Sequence, residues 1–433
     1  MNPGRIGLFT SDRGRAEGSA ESPAGGPVTE LIQVGGECVR KYTGEFWTAG
    51  QRRGNSIHEI SYRACFKPQL PAFFISRLTE PGDVVYDPFS GRGTTVIEAA
   101  LLGRGVISND RNPLSIILTR PRLKPPTLDD IADRLEKIPV SREAEYGVDL
   151  SMFFHRDTLA EILDLRRYLS DRSESGKEDQ IDSWIRMVAT NRLTGHSRGF
   201  FSVYTLPPNQ AVSPERQRKL NERRSQTPEY RDTHSLILTK SRSLVRNLSA
   251  TEREMLEKTS RDAVFLSCDA RSTPCIPEDS VMLTVTSPPF LDVVQYRLDN
   301  WLRCWFNMLD SDLIGNQITV TRSVQDWTGV MTQVFRELHR ITRPGGAVAF
   351  EVGEVRKGTI RLDEYVVPLG TAAGFSCEGI LINRQRFTKT SNIWGIGNNR
   401  AGTNTNRIVL FRKSFRINHQ EEIESPEEKT GLK

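Results

Sequence analysis

The stretch Tyr86-Asp87-Pro88-Phe89-Ser90-Gly91-Arg92-Gly93-Thr94-Thr95 combines residue types that prescribe chemistry. Gly91 and Gly93 let backbone approach a ligand closely, and a helix opening at Thr95 offers free N–H groups and a positive dipole end to a carboxylate. Asp87 is placed to accept from a ligand ammonium. Asp110, at the end of the following strand, offers the bidentate acceptor that two ribose hydroxyls need. A molecule with an amino-acid end and a nucleoside end satisfies both acids, and S-adenosylmethionine is such a molecule. Pro88, Phe89, Gly91, Gly93, Thr94 and Thr95 complete the expected cofactor site. A dinucleotide site is the competitor, but Val96 stands where G-x-G-x-x-G requires its third glycine. A bare glycine turn can also join strand to helix and bind nothing.

The second group is Thr286-Ser287-Pro288-Pro289-Phe290, just after the apolar run Val281 to Val285. An exocyclic base amine is a poor nucleophile because its lone pair is delocalised into the ring. Acceptors aimed at its two hydrogens draw the nitrogen toward tetrahedral geometry, and the Ser287 hydroxyl and the Pro288 carbonyl are the acceptors expected here. Pro289 stiffens the loop and has no N–H to compete for that carbonyl. Phe290 supplies an aromatic face for a base rotated out of its duplex.

Together these residues resemble the S-adenosylmethionine-dependent amino-methyltransferases that act on DNA. Asp87 to Thr95 match that family's D-P-F-x-G-x-G-T-T, and Ser287 to Phe290 match its serine-type Pro-Pro motif. His58 and Phe66-Lys67-Pro68-Gln69-Leu70 resemble the extra motif that walls the methionine end, which implies Phe66 and Pro68 in the cofactor site. Cys268-Asp269-Ala270-Arg271 resembles the motif whose acid accepts from the adenine amine, which implies Asp269 as a third binding carboxylate. The serine form is associated mainly with cytosine N4 and the aspartate form with adenine N6. The resemblance therefore favours a site-specific cytosine-N4 DNA methyltransferase, with adenine N6 as the alternative. Guanine-N2 transfer in tRNA or rRNA comes next, and then a catalytically silent nucleic-acid-binding protein on the same fold. Such enzymes commonly accompany a restriction endonuclease that acts separately. Serine-type enzymes often place the Pro-Pro motif first, and here the order is permuted. Both loops still fall at the carboxyl ends of strands, so the chemistry is unaffected.

The elements that must hold these loops come in two blocks. The first reads as a helix from Pro71 to Leu78, a strand from Asp83 to Tyr86, the glycine turn, a helix from Thr95 to Leu102 and a strand from Gly105 to Asn109. The second has a strand from Val281 to Thr286, a helix from Val324 to Arg340, a turn at Pro344-Gly345-Gly346, and strands from Ala347 to Val352 and Arg407 to Arg412. Alternation of this kind predicts an α/β fold, a mainly parallel sheet covered by helices on both faces. The resemblance implies the class I methyltransferase version of that Rossmann-like sheet. Between the blocks, amphipathic helices such as Leu159 to Leu169 predict an inserted, mostly helical domain. The expected division is an arm over 1–36, a first methyltransferase part over 37–119, a target-recognition insertion over 120–260, a second part over 261–413 and an acidic tail over 414–433.

Charge supports the same division. The 433 residues carry 59 Lys+Arg against 54 Asp+Glu, yet residues 191 to 246 alone hold eleven Lys/Arg against four Asp/Glu. A local basic excess suits double-stranded DNA. Arg192, Arg198, Arg216, Arg218, Lys219, Arg223 and Arg224 are the expected phosphate or guanine donors, Asn191, Asn209, Gln210 and Asn221 candidate readers of adenine, with Phe200, Phe201 and Tyr204 interleaved. A solvated basic face is the alternative. Six cysteines without a C-x-x-C pair predict neither a disulfide framework nor a metal site. No apolar run long enough to span a bilayer and no signal-peptide core occur, so a cytoplasmic monomer is expected.

Overall fold

The apolar runs read from the sequence become the centre of one nine-stranded sheet in the computed structural model, which describes residues 27–47, 54–63, 65–140, 148–206, 211–289, 296–318, 323–355, 360–388 and 401–415. The chain begins with β1 (Val28–Val34), β2 (Glu37–Gly44), α1 (Gln69–Leu78), β3 (Val84–Asp87), α2 (Thr94–Leu101) and β4 (Gly105–Asn109). A helical stretch follows: α3 (Leu114–Thr119), α4 (Leu128–Glu136), α5 (Arg156–Glu174), α6 (Gln180–Arg192), α7 (Pro214–Arg224), α8 (Thr233–Val245) and α9 (Ala250–Asp262). The rest comprises β5 (Val264–Leu266), β6 (Val281–Thr286), α10 (Tyr296–Phe306), α11 (Ser311–Gln317), α12 (Val324–Ile341), β7 (Thr342–Val352), the small ribbon β8 (Glu354–Val355) and β9 (Ile360–Arg361), α13 (Leu362–Ala372), β10 (Phe375–Thr388) and β11 (Ala401–Lys413).

Across the sheet the order is β5-β4-β3-β6-β7-β11-β10-β2-β1. Neighbours from β5 to β7 are parallel, β11 runs antiparallel to both β7 and β10, and β2 joins β10 in parallel. The chain builds outward from β3 through β4 to β5, then returns to lay β6 on the other side of β3. That reversal opens a crevice at the carboxyl ends of β3 and β6, where ligands bind in sheets of this type.

Both faces of the sheet are covered, which is why the central strands read as unbroken apolar runs. Within β7, Ala347 and Ala349 face one hydrophobic cluster with Phe74, Val96 and Ile97, while Val348 and Phe350 face a second with Phe335, Leu338 and Val366. The Pro344-Gly345-Gly346 stretch, expected as a turn, lies inside β7 as an irregularity in its register with β6 between Val281 and Leu283. The last strand is pinned at its end: Lys413 Nζ donates to Asp279 Oδ1 at 2.7 Å, the His339 carbonyl at 2.6 Å and the Thr342 carbonyl at 2.8 Å.

Two expectations need correction. The arm over 1–36 is too long, because Val28–Val34 is a strand paired with β2 from Val28↔Thr43 to Val34↔Glu37. Gly35 and Gly36, both at positive φ, supply the two-residue turn that such a hairpin needs. Main-chain pairing holds this strand: Val28 and Leu31 are exposed, so the sequence shows no buried stripe there. The helical stretch also lacks a core of its own. Ile131, Leu165, Trp184, Ile237 and Leu256 belong to the same cluster as Val85 and Leu283 of the sheet, so these helices thicken one layer.

Candidate active site

The crevice beside β3 and β6 leads into a cavity of about 350 Å³. Its floor comes from the glycine loop. Ser90 donates its hydroxyl to the Asp87 carbonyl at 2.9 Å, and Gly93 N–H donates to the Ser90 carbonyl at 2.6 Å. Gly93 sits at φ 73, and a Cβ there would fall 2.3 Å from Thr119 side-chain atoms. The helix that follows takes no side-chain cap. Asp110 closes the loop from β4: one carboxylate oxygen accepts from Gly91 N–H and the other from Asn112 N–H, each at 2.8 Å. Burial raises Asp110 to about 6, against these two bonds.

Of the residues expected to hold cofactor, Phe66, Pro88, Phe89, Gly91, Asp110 and Asp269 line the cavity. Asp269 is paired with the Arg271 guanidinium, which holds it below the usual carboxylate range. Pro68, Gly93, Thr94 and Thr95 are buried and do not belong to the lining, and Thr95 donates to the Val285 carbonyl of β6 at 3.0 Å. Asp87 is buried. Its carboxylate faces inward, accepting from the Thr286 hydroxyl at 2.6 Å and Phe89 N–H at 3.1 Å, and takes no part in the lining. It therefore braces the glycine loop against β6.

Burial raises Asp87 from an ordinary 3.8 to about 7, against the bonds from Thr286 and Phe89. The folded chain then holds this proton more tightly than the unfolded chain, so its contribution favours folding below about 4 and is lost as pH rises through about 7. Asp87→Asn is expected to flatten the fall of stability between those limits and to leave the smaller share due to Asp110. Denaturant midpoints at pH 4.5 and 8 measure this; identical slopes in the two proteins would mean that Asp87 is charged throughout.

Ser287, Pro288 and Pro289 line the cavity opposite the glycine loop. Phe290, Asn209 and Gln210 lie outside the described residues. Several functional positions were missed from the sequence. Trp327 of α12 lines the cavity and donates its indole N–H to the Pro289 carbonyl at 3.0 Å. Asn109 donates to the carbonyls of Pro88 and Cys268 and accepts from Cys268 N–H, so one side chain ties the glycine loop to the loop of Asp269. Lys67 lines the wall, and burial together with nearby Arg92 lowers its pKa. Glu351 of β7 also lines the cavity and accepts from Asn406 Nδ2 at 2.8 Å. Only Lys67 falls inside a recognisable motif; the others carry no local signal.

The basic stretch divides. Arg198, Arg216, Arg218, Lys219, Arg223 and Arg224 are exposed, with Arg218 paired to Asp149 and Arg224 set over the Tyr204 ring at 3.9 Å. Arg192 is buried, donating to the Gly199 carbonyl and lying over Phe200 at 4.0 Å. Asn191 is buried against Ser61, Asn221 is bonded to the Met152 carbonyl, and Phe200 and Phe201 are buried within the fold. Among the described residues no group of three His, Cys, Asp or Glu is placed to hold a metal ion, and no helix is long and apolar enough to cross a membrane.

Residues 32–116, which contain the glycine loop and Asp110, match the family model described as DNA methylase of the N6/N4 type. Over these residues the chain is similar to the N6/N4 DNA methylases. A curated relative, the type II methyltransferase M.MjaII of Methanocaldococcus jannaschii, is 32% identical over 75 residues. That match covers 17% of this chain and 14% of the relative, so the chain spans only a small part of the methylase it matches. Among solved structures, TrmN from Thermus thermophilus is 14% identical with a TM-score of 0.31, covering 83% of this chain and 51% of TrmN. Precorrin-6y C5,15-methyltransferase from Geobacter metallireducens is 10% identical with a TM-score of 0.33, covering 82% and 94%. The α/β fold of this chain rests on its own strand order.

Proposed function

We propose that this chain is a DNA methyltransferase of the N6/N4 type that uses S-adenosylmethionine to methylate the exocyclic amine of a base turned out of the duplex, cytosine N4 in preference to adenine N6. One observation carries the reading: Ser287 and Pro288 share a single cavity with the glycine loop and Asp110, and the bonds from Thr286 to Asp87 and from Thr95 to Val285 lock the two loops together. The residues present fit the cofactor. Asp110 suits ribose hydroxyls, Asp269 suits an amine on the adenine, and Lys67 offers a cation to the amino-acid carboxylate. When bound, S-adenosylmethionine supplies an electrophilic methyl on a sulfonium. Ser287 and Pro288 accept the amine hydrogens and direct the nitrogen lone pair, while Trp327 and the two prolines keep that loop rigid. The serine at 287 favours cytosine by its resemblance to the cytosine-type motif.

Expression in a methylation-free bacterial host, followed by mapping of modified bases across the genome, tests this directly. N4-methylcytosine in one sequence context supports the reading, N6-methyladenine moves the target base, and a methyl found on RNA with none on DNA overturns it.

DNA also needs a seat. Trp301 of α10 donates to the Val212 carbonyl just before α7, and Arg303 of the same helix donates to the Ser61 carbonyl beside Tyr62 on the cavity wall. One helix thus joins basic α7 to the site. Replacing Arg216, Lys219 and Arg223 by Gln is expected to weaken DNA binding and to flatten its salt dependence, by about 0.9 in log-log slope for each DNA phosphate that is no longer neutralised. Binding isotherms at several salt concentrations give the slope; wild-type affinity and slope would make α7 a solvated face. A cognate restriction endonuclease, acting separately, belongs to the same proposal.

A further inference from the structure

The chain leaves β2 at Gly44, opposite Asn383 of β10, and is caught there. The fully buried Asn383 side chain accepts from Phe46 N–H at 2.8 Å and Trp47 N–H at 3.4 Å, and donates to the Trp47 carbonyl at 3.2 Å. These three bonds fix the main chain at Trp47. The indole packs against α1, with ring centroids 5.2 Å from Phe73 and 6.1 Å from Phe74, and Trp47 also lines the cavity. A side chain held at both its backbone and its ring is a rigid aromatic wall.

Strand order says which half of the cavity that wall serves. The acids assigned to the cofactor follow β4 and β5, on one side of β6, whereas β7, β11 and β10 lie on the other. Side chains alternate along a strand, so Asn383 and Asn406 share the sheet face of Leu381 and Ile408, whose hydrophobic cluster also contains Trp47. Asn383 pairs in register with Asn406, and Asn406 lines the cavity. The lining therefore runs from Ser287, after β6, past β7 and β11 to Trp47 at β10, three strand spacings or about 14 Å. A cofactor seated on Asp110 and Asp269 lies on the far side of Ser287, so this stretch belongs to the molecule that receives the methyl. Resting on the amine-transfer reading, we propose that Trp47 is the stacking face for the target base once it has left the duplex. The indole meets the flat ring while Ser287 and Pro288 hold its amine. A base turned out of DNA loses the stacking of both neighbours, and a preformed aromatic wall replaces part of it without ordering a mobile side chain.

Two measurements separate this role from packing. In the first, 5-iodouracil replaces the target base at the site mapped in the methylation-free host, and its complex with the wild-type chain is irradiated. An excited halopyrimidine couples to the aromatic ring stacked on it, so a crosslink at Trp47 is expected, located by mass spectrometry. In the second, Trp47→Leu removes the flat face and keeps apolar bulk. Single-turnover methyl transfer should fall about tenfold or more on matched DNA and by less on a duplex mismatched at the target, where the base is cheaper to turn out. Calorimetric affinity for S-adenosylmethionine should stay within about twofold of wild type, and Trp47→Phe, with a smaller aromatic face, should recover most of the lost rate. The absence of a crosslink at Trp47 overturns the proposal even if the leucine variant does not fold. A Trp47→Leu loss that is equal on both duplexes, or matched by a loss of cofactor affinity, also overturns it and makes Trp47 a packing residue. A wild-type chain that transfers no methyl to any DNA overturns the amine-transfer reading first, whereas undiminished transfer by Trp47→Leu overturns this inference alone.

Discussion

Ser287→Ala is expected to lower single-turnover methyl transfer by about 10²-fold or more while affinity for S-adenosylmethionine stays near wild type. The split follows from where the hydroxyl lies. Ser287 is on the part of the lining formed by the β6 loop, whereas Asp110 and Lys67 come from other loops, and its lone pairs gain value only as the amine becomes tetrahedral. The loop itself should survive the change. Trp327 still holds the Pro289 carbonyl, and Thr286 still reaches Asp87. Rates from rapid mixing, set beside calorimetry on the same protein, test the pairing. Wild-type turnover would remove the serine from the chemistry, and a parallel loss of cofactor affinity would make it part of the binding wall.

Gly93→Ala is expected to destabilise the fold by about 3 kcal/mol and to abolish measurable cofactor binding. Two costs combine: about 1 to 3 kcal/mol for a side chain held at φ 73, and a similar amount for forcing a methyl to within 2.3 Å of Thr119 in a closed interior. Thr119 cannot withdraw cheaply, because it is fully buried at the end of α3. Shortening Thr119 gives a second reading of the same contact: Thr119→Ala in the Gly93→Ala background should recover part of the stability, and the φ cost should remain. Melting curves on the single and double variants settle the balance. A Gly93→Ala protein as stable as wild type would mean that the loop has another conformation available.

Much of this site can be read from sequence because its specification is local. The glycine loop, Asp110 and Ser287-Pro288-Pro289 each sit at the end of a strand whose apolar run is visible on its own, and the observed element ends lie close to the expected ones: Gln69–Leu78 for the first helix, Val281–Thr286 for the strand before the prolines. What escaped is what depends on direction. Asp87 falls in the expected motif, yet it turns inward because Thr286, on a strand distant in sequence, offers it a hydroxyl. Arg192 counts as a positive charge in composition and is spent inside the fold on backbone carbonyls and Phe200. Trp327, Asn109 and Glu351 matter because of partners that arrive by tertiary packing, and no window of adjacent residues contains those partners. β1 was hidden for a different reason: its side chains are largely exposed, so main-chain pairing left no hydrophobic trace.

The position of β11 constrains how such a chain can be made. β11 lies between β7 and β10, so a ribosome must deliver residue 413 before the middle of the sheet is closed and Lys413 is clamped. Until then β7, with Val348 and Phe350 already committed to the core, presents an open row of N–H and C=O groups to any neighbouring nascent chain. A premature stop codon that removes only this last strand would leave both the cofactor loop and the proline loop intact in sequence. The product would present an open, aggregation-prone sheet edge and would not be simply a shorter chain.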